Sequence, residues 1–175
     1  MSIWIIIWRL NPLHLWHESL INESLKNNDK TIIILWSSNK IDSNNPLKFE
    51  QRKELLILVY KDYVDKNIIE IENIADYEDD LKWFLEVKKI LNIYLNEKLT
   101  FYWWDIKNDY AIKVVKLFID KFENKIYFVE KPRNEINISA TKIREFMKNQ
   151  DFEKLKNFVN EKTVKYLIEK SDFFR

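Results

Sequence analysis

Fully apolar blocks alternate along the chain with blocks whose apolar residues recur at helical spacing. "SIWIIIW" (2–8) and "TIIILW" (31–36) are apolar on both faces, as strands buried in a parallel sheet are. "LWHESLINESLKN" (15–27) has the spacing of an amphipathic helix. The pattern predicts strands over 2–8, 30–36, 67–73, 98–104 and 125–131, with helices over 15–27, 48–64, 79–95 and 108–122 between them and three more over 139–171.

Strict alternation of buried strands and helices is typical of βαβ units with right-handed crossovers. We therefore expect an α/β fold: a Rossmann-like, doubly wound, parallel five-stranded sheet with C-terminal helices. One domain spans residues 1–175, with the βαβ core over 3–130 and the C-terminal helical part over 138–170. Ligands of such sheets bind outside the carboxyl ends of the strands, so the loops after the first, second and fourth strands are expected to line one cleft.

Composition narrows the class of protein. Apolar residues make up 46% and charged residues 33%, which is globular, and the net charge of +1 comes with no strongly basic segment for nucleic acid. The apolar runs are too short to span a bilayer, no cleavable leader is visible, and the absence of Cys excludes disulfides and Cys-based zinc sites. We expect a cytoplasmic protein with no membrane partner.

The chain's two histidines, His14 and His17, lie at the start of the first predicted helix. A helix N-terminus offers free N–H groups and partial positive charge, and imidazoles there can bind phosphate oxygens and stabilise charge that develops as a phosphoryl bond breaks. Two surface or capping histidines are the structural alternative. A metal pair is a weaker one, because no third ligand is close in sequence.

The segment "ISATKIR" (138–144) opens the C-terminal part. Ser139 is a predicted N-cap of a helix that faces the cleft, and Thr141 and Arg144 share one face of that helix. Arg144 then presents a planar fork of donors to phosphate. Four of the five arginines, Arg9, Arg52, Arg133 and Arg144, lie in or beside such segments although lysines number 24.

The elements "WRLNPLHLWH" and "ISATKIR" resemble the motifs G-R-x-x-P-x-H-x-G-H and I-S-x-T-x-x-R of the HxGH-motif nucleotidyltransferase superfamily. "WSSNKIDSNNPLKFEQR", "DYEDDLKW" and "FYWWDIKND" resemble segments of its archaeal-type nicotinamide-nucleotide adenylyltransferases, so that the resemblance runs from about residue 3 to 168. It implies a nucleotidyltransferase that transfers AMP from ATP to nicotinamide mononucleotide, giving NAD and pyrophosphate.

The resemblance also implies roles for individual residues. The catalytic set is His14, His17 and Arg144. The ATP-binding set is Trp8, Arg9, Trp16, Trp104, Asp105, Ser139 and Thr141. The nicotinamide-nucleotide set is Ser37, Asn39, Arg52, Asp76, Asp80 and Trp83, with the Trp83 ring stacking on nicotinamide. Leu47 and Gln51 depart from the family pattern, so the resemblance is less clear in the loop near the nicotinamide nucleotide.

Mg²⁺ is expected to accompany ATP by bridging its phosphates rather than to occupy a protein cage. Assembly into a homo-oligomer is expected from the relatives. Two alternatives stay open: the same fold with another phosphate acceptor, nicotinate mononucleotide or phosphopantetheine, and a nucleotide-binding protein that does not catalyse.

Glycine is absent, although roughly 12 are expected at the usual frequency of ~7%. Six of the seven tryptophans stand where the family has Gly: Trp4, Trp8, Trp16, Trp36, Trp103 and Trp104. Ile, Lys and Asn make up 66 residues and Ala only three, as in an AT-rich gene. The hypothesis is that UGA codons mean Gly in the organism and are written here as Trp. The alternative is a Trp-rich core, which predicts a crowded ATP site and weak or absent activity.

Overall fold

The computed structural model describes residues 1–94, 96–103, 109–123, 125–131 and 138–174. The strands are β1 (Ser2–Trp8), β2 (Lys30–Leu35), β3 (Ile69–Asn73), β4 (Lys98–Trp103) and β5 (Lys125–Glu130). The helices are α1 (Leu15–Asn27), α2 (Phe49–Asp65), α3 (Asp80–Leu91), α4 (Tyr110–Leu117), α5 (Ala140–Lys148), α6 (Phe152–Leu155) and α7 (Glu161–Glu169). Short 3₁₀ turns cover Asn92–Tyr94, Ile119–Lys121 and Ser171–Phe174.

The five strands form one parallel sheet in the order β3-β2-β1-β4-β5. This confirms the predicted Rossmann-like doubly wound fold. The strand order reverses between β1 and β4, and this switch point is where ligands of such sheets bind.

Position in the sheet explains the strand sequences. The central strands β1 and β2 are buried along almost their whole length, and Ile5, Ile6 and Ile33 are fully inaccessible. Branched apolar residues fill both faces because helices cover both sides of a parallel sheet. The edge strand β3 alternates buried Ile with less buried Glu, and no residue of the edge strand β5 is buried.

The C-terminal helices are attached to the first two helices of the core. The N–H of Leu15, at the start of α1, donates to the carbonyl of Phe158 at 2.9 Å. The Tyr166 hydroxyl on α7 donates to the Gln51 carbonyl at 3.0 Å. Apolar side chains of α5, α6 and α7 belong to the same buried cluster as the sheet. The segment after β5 is therefore part of the same core.

Several boundaries differ from the sequence expectation, among them the end of α3 at Leu91 rather than 95 and the start of β3 at Ile69 rather than 67. Helix α4 ends at Leu117 rather than 122, because Phe118 leaves helical geometry and a 3₁₀ turn follows. Strand β2 ends at Leu35, one residue early, before Ser37 adopts a φ of 54°. In a chain without Gly, left-handed positions fall to other residues: Leu10, Ser37, Asn67, Asn96 and Gln150. The non-Asn residues among them carry a steric cost of roughly 1 kcal/mol each.

Candidate active site

Loops at the carboxyl ends of the strands enclose an open cleft of about 710 Å³. It is built around the end of β1, where the strand order reverses, and the first turns of α4 and α5 close its far side. This is the location that the sequence pattern predicts. The predicted site residues that line it are Trp8, Arg9, His17, Ser139, Thr141 and Arg144.

The two histidines lie together, with ring centroids 3.6 Å apart and planes inclined by 22°. His14 directly precedes α1, and both side chains are buried, with exposed fractions of 1% and 7%. The rings of Trp8 and Trp16 lie 5.2 and 5.6 Å from that of His17. The pair is thus packed against indoles, and His17 is the member that lines the cleft.

The start of α5 has the predicted cap. The Ser139 hydroxyl accepts the Lys142 N–H at 3.4 Å, and Ser139, Ala140 and Thr141 all line the cleft. The start of α1 differs, because the Leu15 N–H already donates to a backbone carbonyl. The start of α5, which lines the cleft, therefore offers a site for an anion.

Arg144 bridges α5 to the loops after β1 and β2. Its Nη1 donates to the Asn11 carbonyl at 2.9 Å, and its Nη2 donates to Thr141 Oγ1 at 3.1 Å and to Asn44 Oδ1 at 3.4 Å. Burial, and after it the nearby charge of Arg9, lower the pKa of Arg144. All three acceptors are neutral, so the charge of the guanidinium is held in place without being cancelled.

The cleft lining holds two arginines, Arg9 and Arg144, and one carboxylate, that of Asp109. In the described ranges, no carboxylate forms an ion pair with Arg9, Arg52 or Arg144. Arg9 is exposed and lowers the pKa of both other arginines by like-charge repulsion. A group of cations that repel one another favours a polyanion as ligand.

Arg52 lies behind the cleft wall rather than in the cleft. Its side chain is 1% exposed, and its guanidinium donates to the carbonyls of Arg9 at 2.6 Å, Trp36 at 2.7 Å and Ser37 at 3.3 Å. Burial lowers its pKa to about 10. Arg52 therefore ties together the segments that follow β1 and β2, and the structure does not bring it to the cleft surface.

Three residues of the predicted nicotinamide-nucleotide set meet beyond the ends of β2 and β3. The Ser37 hydroxyl donates to Asp76 Oδ1 at 2.9 Å, and the Asp76 N–H donates to Asn39 Oδ1 at 2.8 Å. Lys40 forms an ion pair with Asp76 Oδ2 at 2.7 Å. The two loops are thus joined by a polar network centred on Asp76.

Trp83 and Asp80 contact the aromatic residues Trp36 and Tyr110. The Trp83 ring is 1% exposed and meets the ring of Trp36 edge-on at 5.9 Å. Tyr110 stacks on Trp36 at 5.7 Å, and its hydroxyl donates to Asp80. The Asp80 hydrogen bond and burial raise the pKa of Tyr110 to about 12. The Trp83 ring, to which the resemblance assigns the nicotinamide, is therefore buried in this structure.

Two predicted residues, Trp104 and Asp105, lie outside the described residues. Sequence reasoning missed four polar or aromatic residues that the structure brings to the cleft: Asn11, Asn44, Asp109 and Tyr110. Asn11 stands inside the first motif, and its side chain pairs with the backbone of Leu47 through bonds of 2.9 and 3.1 Å. Its position beside Pro12 in the first motif could have identified Asn11 as a site residue. The sequence around Asn44 and Tyr110 contains no comparable feature.

Within the described ranges, no group of three or more His, Cys, Asp or Glu side chains is arranged to hold a metal ion. The part of the chain that the structure describes also contains no helix long and apolar enough to cross a membrane.

The sequence over residues 60–167 matches the family described as the citrate lyase ligase C-terminal domain. That range includes Arg144 and excludes both histidines. No curated protein matches the chain.

Solved structures share the fold. A bifunctional NMN adenylyltransferase/ADP ribose pyrophosphatase from Francisella tularensis, complexed with AMP and a Mn ion, is 27% identical with a TM-score of 0.67, over 85% of this chain and 42% of that one. The chain thus spans 42% of the length of that enzyme. A nicotinic acid mononucleotide adenylyltransferase of Plasmodium falciparum, complexed with APC, is 17% identical with a TM-score of 0.66, over 98% of both chains.

Proposed function

The chain belongs to the citrate lyase ligase C-terminal domain family, and we propose that it is an adenylyltransferase that joins ATP to nicotinamide mononucleotide. The observation that carries the proposal is the group of uncancelled cations at the end of β1, where Arg9 and Arg144 face one cleft with His17. The names of the similar solved structures support the reaction class, since both are mononucleotide adenylyltransferases.

Arg144 is suited to bind phosphate. Of the five N–H groups of a guanidinium, three donate to described neighbours, which leaves two for phosphate oxygens. Thr141 and the start of α5 supply further donors beside it. His17 reaches the same cleft, and His14 stacks behind it. We assign the triphosphate of ATP to this group.

In the proposed reaction a phosphate oxygen of the mononucleotide attacks the α-phosphorus of ATP in line. The new P–O bond forms as the bond to the β-phosphate oxygen breaks, and pyrophosphate leaves. The attacking phosphate is already ionised, so no general base is required. Arg144, Arg9 and His17 stabilise the charge that moves to the leaving group, and positioning supplies most of the remaining acceleration.

The acceptor half is assigned to the network of Ser37, Asn39 and Asp76, together with Asp80 and the face of Trp83. Arg52 acts on this half indirectly, because it holds the carbonyls of the residues that border it. Trp8 and Trp16 belong to the ATP half by position, and they crowd it.

Mg²⁺ is the proposed companion of ATP. Such an ion usually keeps several waters and binds through substrate phosphates rather than in an all-protein cage. When bound it neutralises part of the phosphate charge. Nicotinate mononucleotide as acceptor and a binding protein without catalysis are the competing proposals.

The test is NAD formation from nicotinamide mononucleotide and Mg-ATP, with a parallel arm that contains nicotinate mononucleotide. The chain is compared with a version that has Gly at 4, 8, 16, 36, 103 and 104. Activity of either version with nicotinamide mononucleotide supports the proposal, and activity confined to the glycine version also supports the recoding hypothesis. ATP binding by the glycine version without product in either arm contradicts it and favours the binding protein.

A further inference from the structure

The side chain of Asn11 joins the loop after β1 to the loop after β2. Its Nδ2 donates to the Leu47 carbonyl at 2.9 Å, and its Oδ1 accepts the Leu47 N–H at 3.1 Å. Both residues are buried, with exposed fractions of 2% and 0%. One amide thus satisfies the donor and the acceptor of a single backbone residue, as a neighbouring strand would. The two loops are therefore held at a fixed distance from each other.

The main chain of Asn11 holds Arg144. Its carbonyl accepts Arg144 Nη1 at 2.9 Å, which is shorter than the bonds of Nη2 to Thr141 Oγ1 at 3.1 Å and to Asn44 Oδ1 at 3.4 Å. Thr141 belongs to the same helix as Arg144, so its bond does not fix the helix relative to the sheet. The contacts that do so are those with Asn11 and Asn44.

Both of these contacts depend on the pair formed by Asn11 and Leu47. Asn11 provides one acceptor itself, and Asn44 lies three residues before Leu47 in the same loop. Truncation of the Asn11 side chain leaves the buried N–H and carbonyl of Leu47 without this partner. Because unpaired buried backbone groups are unfavourable, the loop is expected to shift until they are paired again. Such a shift moves both acceptors relative to the guanidinium of Arg144.

We propose that Asn11 is a positioning residue, whose side-chain amide aligns the loops after β1 and β2 so that the guanidinium of Arg144 is held at the cleft. Asn11 acts through Arg144, because its own amide is buried and bonded to Leu47. The consequence for ATP rests on the proposed function, whereas the effect on Arg144 itself does not.

The first measurement observes Arg144 without any ligand. NMR of the ¹⁵N-labelled chain records the side-chain Nε–H groups of its five arginines, and Arg144→Ala identifies the Arg144 signal by its loss. In Asn11→Ala the order parameter of the Arg144 side chain is expected to fall below about 0.6, a value typical of flexible groups.

The matched control is Asn160→Ala. The Asn160 side chain also uses both ends of its amide, since Nδ2 donates to Glu18 Oε1 at 2.7 Å and Oδ1 accepts the Thr163 N–H at 2.9 Å. It shares no partner with Arg144 among the residues described. Asn160→Ala is therefore expected to lower stability while the Arg144 signal stays as in the unmodified chain.

The second measurement separates positioning from a general loss of structure. In whichever version of the chain forms NAD, Asn11→Ala is expected to lower kcat/KM roughly tenfold, because the phosphate-binding guanidinium loses its fixed position. On an Arg144→Ala background the same substitution is expected to cost less than about threefold, because the group that it positions is gone. The effects of Asn160→Ala and Arg144→Ala are expected to add.

An unchanged Arg144 order parameter in Asn11→Ala would overturn the proposal. So would an equal fall in Asn160→Ala, or a full tenfold loss from Asn11→Ala on the Arg144→Ala background. Asn11→Ser is the milder variant if Asn11→Ala does not fold, and a fall in the same direction is expected of it. A fall in the order parameter without NAD formation by any version would count against the proposed function and leave the positioning role in place. Normal NAD formation with an unchanged order parameter in Asn11→Ala would do the reverse.

Discussion

The two halves of the cleft differ in how much of their binding capacity is already used. The half of the cleft proposed to bind the triphosphate of ATP, here called the phosphate half, contains Arg9, Arg144 and His17. Among the residues described, Arg9 and Arg144 have neutral partners only, and their charges repel each other. In the half proposed to bind the acceptor ring, here called the ring half, Trp83 is 1% exposed and its ring meets those of Trp36 and Tyr110 at steep angles. The proposed phosphate half therefore has arginines without carboxylate partners among the described residues, whereas the proposed ring half is filled by the protein's own aromatic side chains.

The same contrast bears on the glycine hypothesis. None of Trp4, Trp8, Trp16, Trp36 and Trp103 has a positive φ, so the backbone at these positions does not demand Gly. The argument for Gly at these positions rests instead on how little space the Trp side chains have. Trp4 and Tyr102 stack with centroids 3.1 Å apart, whereas aromatic pairs prefer about 4.5–7 Å. A peptide spectrum of the native protein that shows Trp at position 16 would exclude the recoding.

The largest expected effect is in the phosphate half. Arg144→Ala is expected to lower kcat/KM for NAD formation by roughly 10²–10³, as loss of one preorganised charge donor does. Arg144→Lys keeps the charge without the fork and is expected to recover only part of this. The measurement uses whichever version of the chain forms NAD. Lys142→Ala, on the exposed side of the same helix, is the control, and an equal loss there would contradict the assignment.

The next prediction distinguishes Arg9, which is proposed to bind ATP, from Arg52, which supports the backbone behind the cleft. Arg52→Ala removes a buried guanidinium that donates to three backbone carbonyls, and it is expected to lower the free energy of unfolding by roughly 3 kcal/mol. Chemical denaturation measures this. Arg9→Ala removes an exposed guanidinium and is expected to change stability by less than about 0.5 kcal/mol while it weakens ATP binding. Similar stability losses in both variants would contradict the distinction.

Sequence patterns predicted the sheet because each strand and helix is specified locally, by apolar residues at period 2 or 3.6. They also predicted that residues of the two contiguous motifs would lie together, and the structure brings Arg9, His17 and Arg144 into one cleft. The ring half was harder to predict, because its state depends on contacts between β2, α3 and α4 that are distant in sequence. The position of Arg52 was missed for the same reason: a guanidinium that binds backbone carbonyls and one that binds phosphate look identical in sequence.

A smaller effect tests the hydrogen bond between Tyr110 and Asp80 in the ring half. The Asp80 hydrogen bond is the main cause that raises the pKa of Tyr110 to about 12. Asp80→Asn is therefore expected to lower that pKa toward the usual value near 10. NMR titration of carbon-labelled tyrosine measures the change. Asp120→Asn, in the 3₁₀ turn after α4, is the control, and an unchanged pKa in Asp80→Asn would show that the hydroxyl does not depend on this carboxylate.

The smallest effect lies beneath the phosphate half, at Glu18. Burial raises the pKa of this carboxyl above its usual 4.5, although Oε1 accepts Asn160 Nδ2 at 2.7 Å. A raised folded-state pKa means that stability is complete below the usual pKa and is lost as pH rises through the folded value. Glu18→Gln keeps the acceptor and removes the charge, so its Tm should exceed that of the unmodified chain by a few degrees at about pH 7 and equal it at about pH 4. The exposed Glu153→Gln should show no such difference between the two pH values, and a Tm gain of Glu18→Gln that is the same at both would mean that the gain comes from packing rather than from proton release.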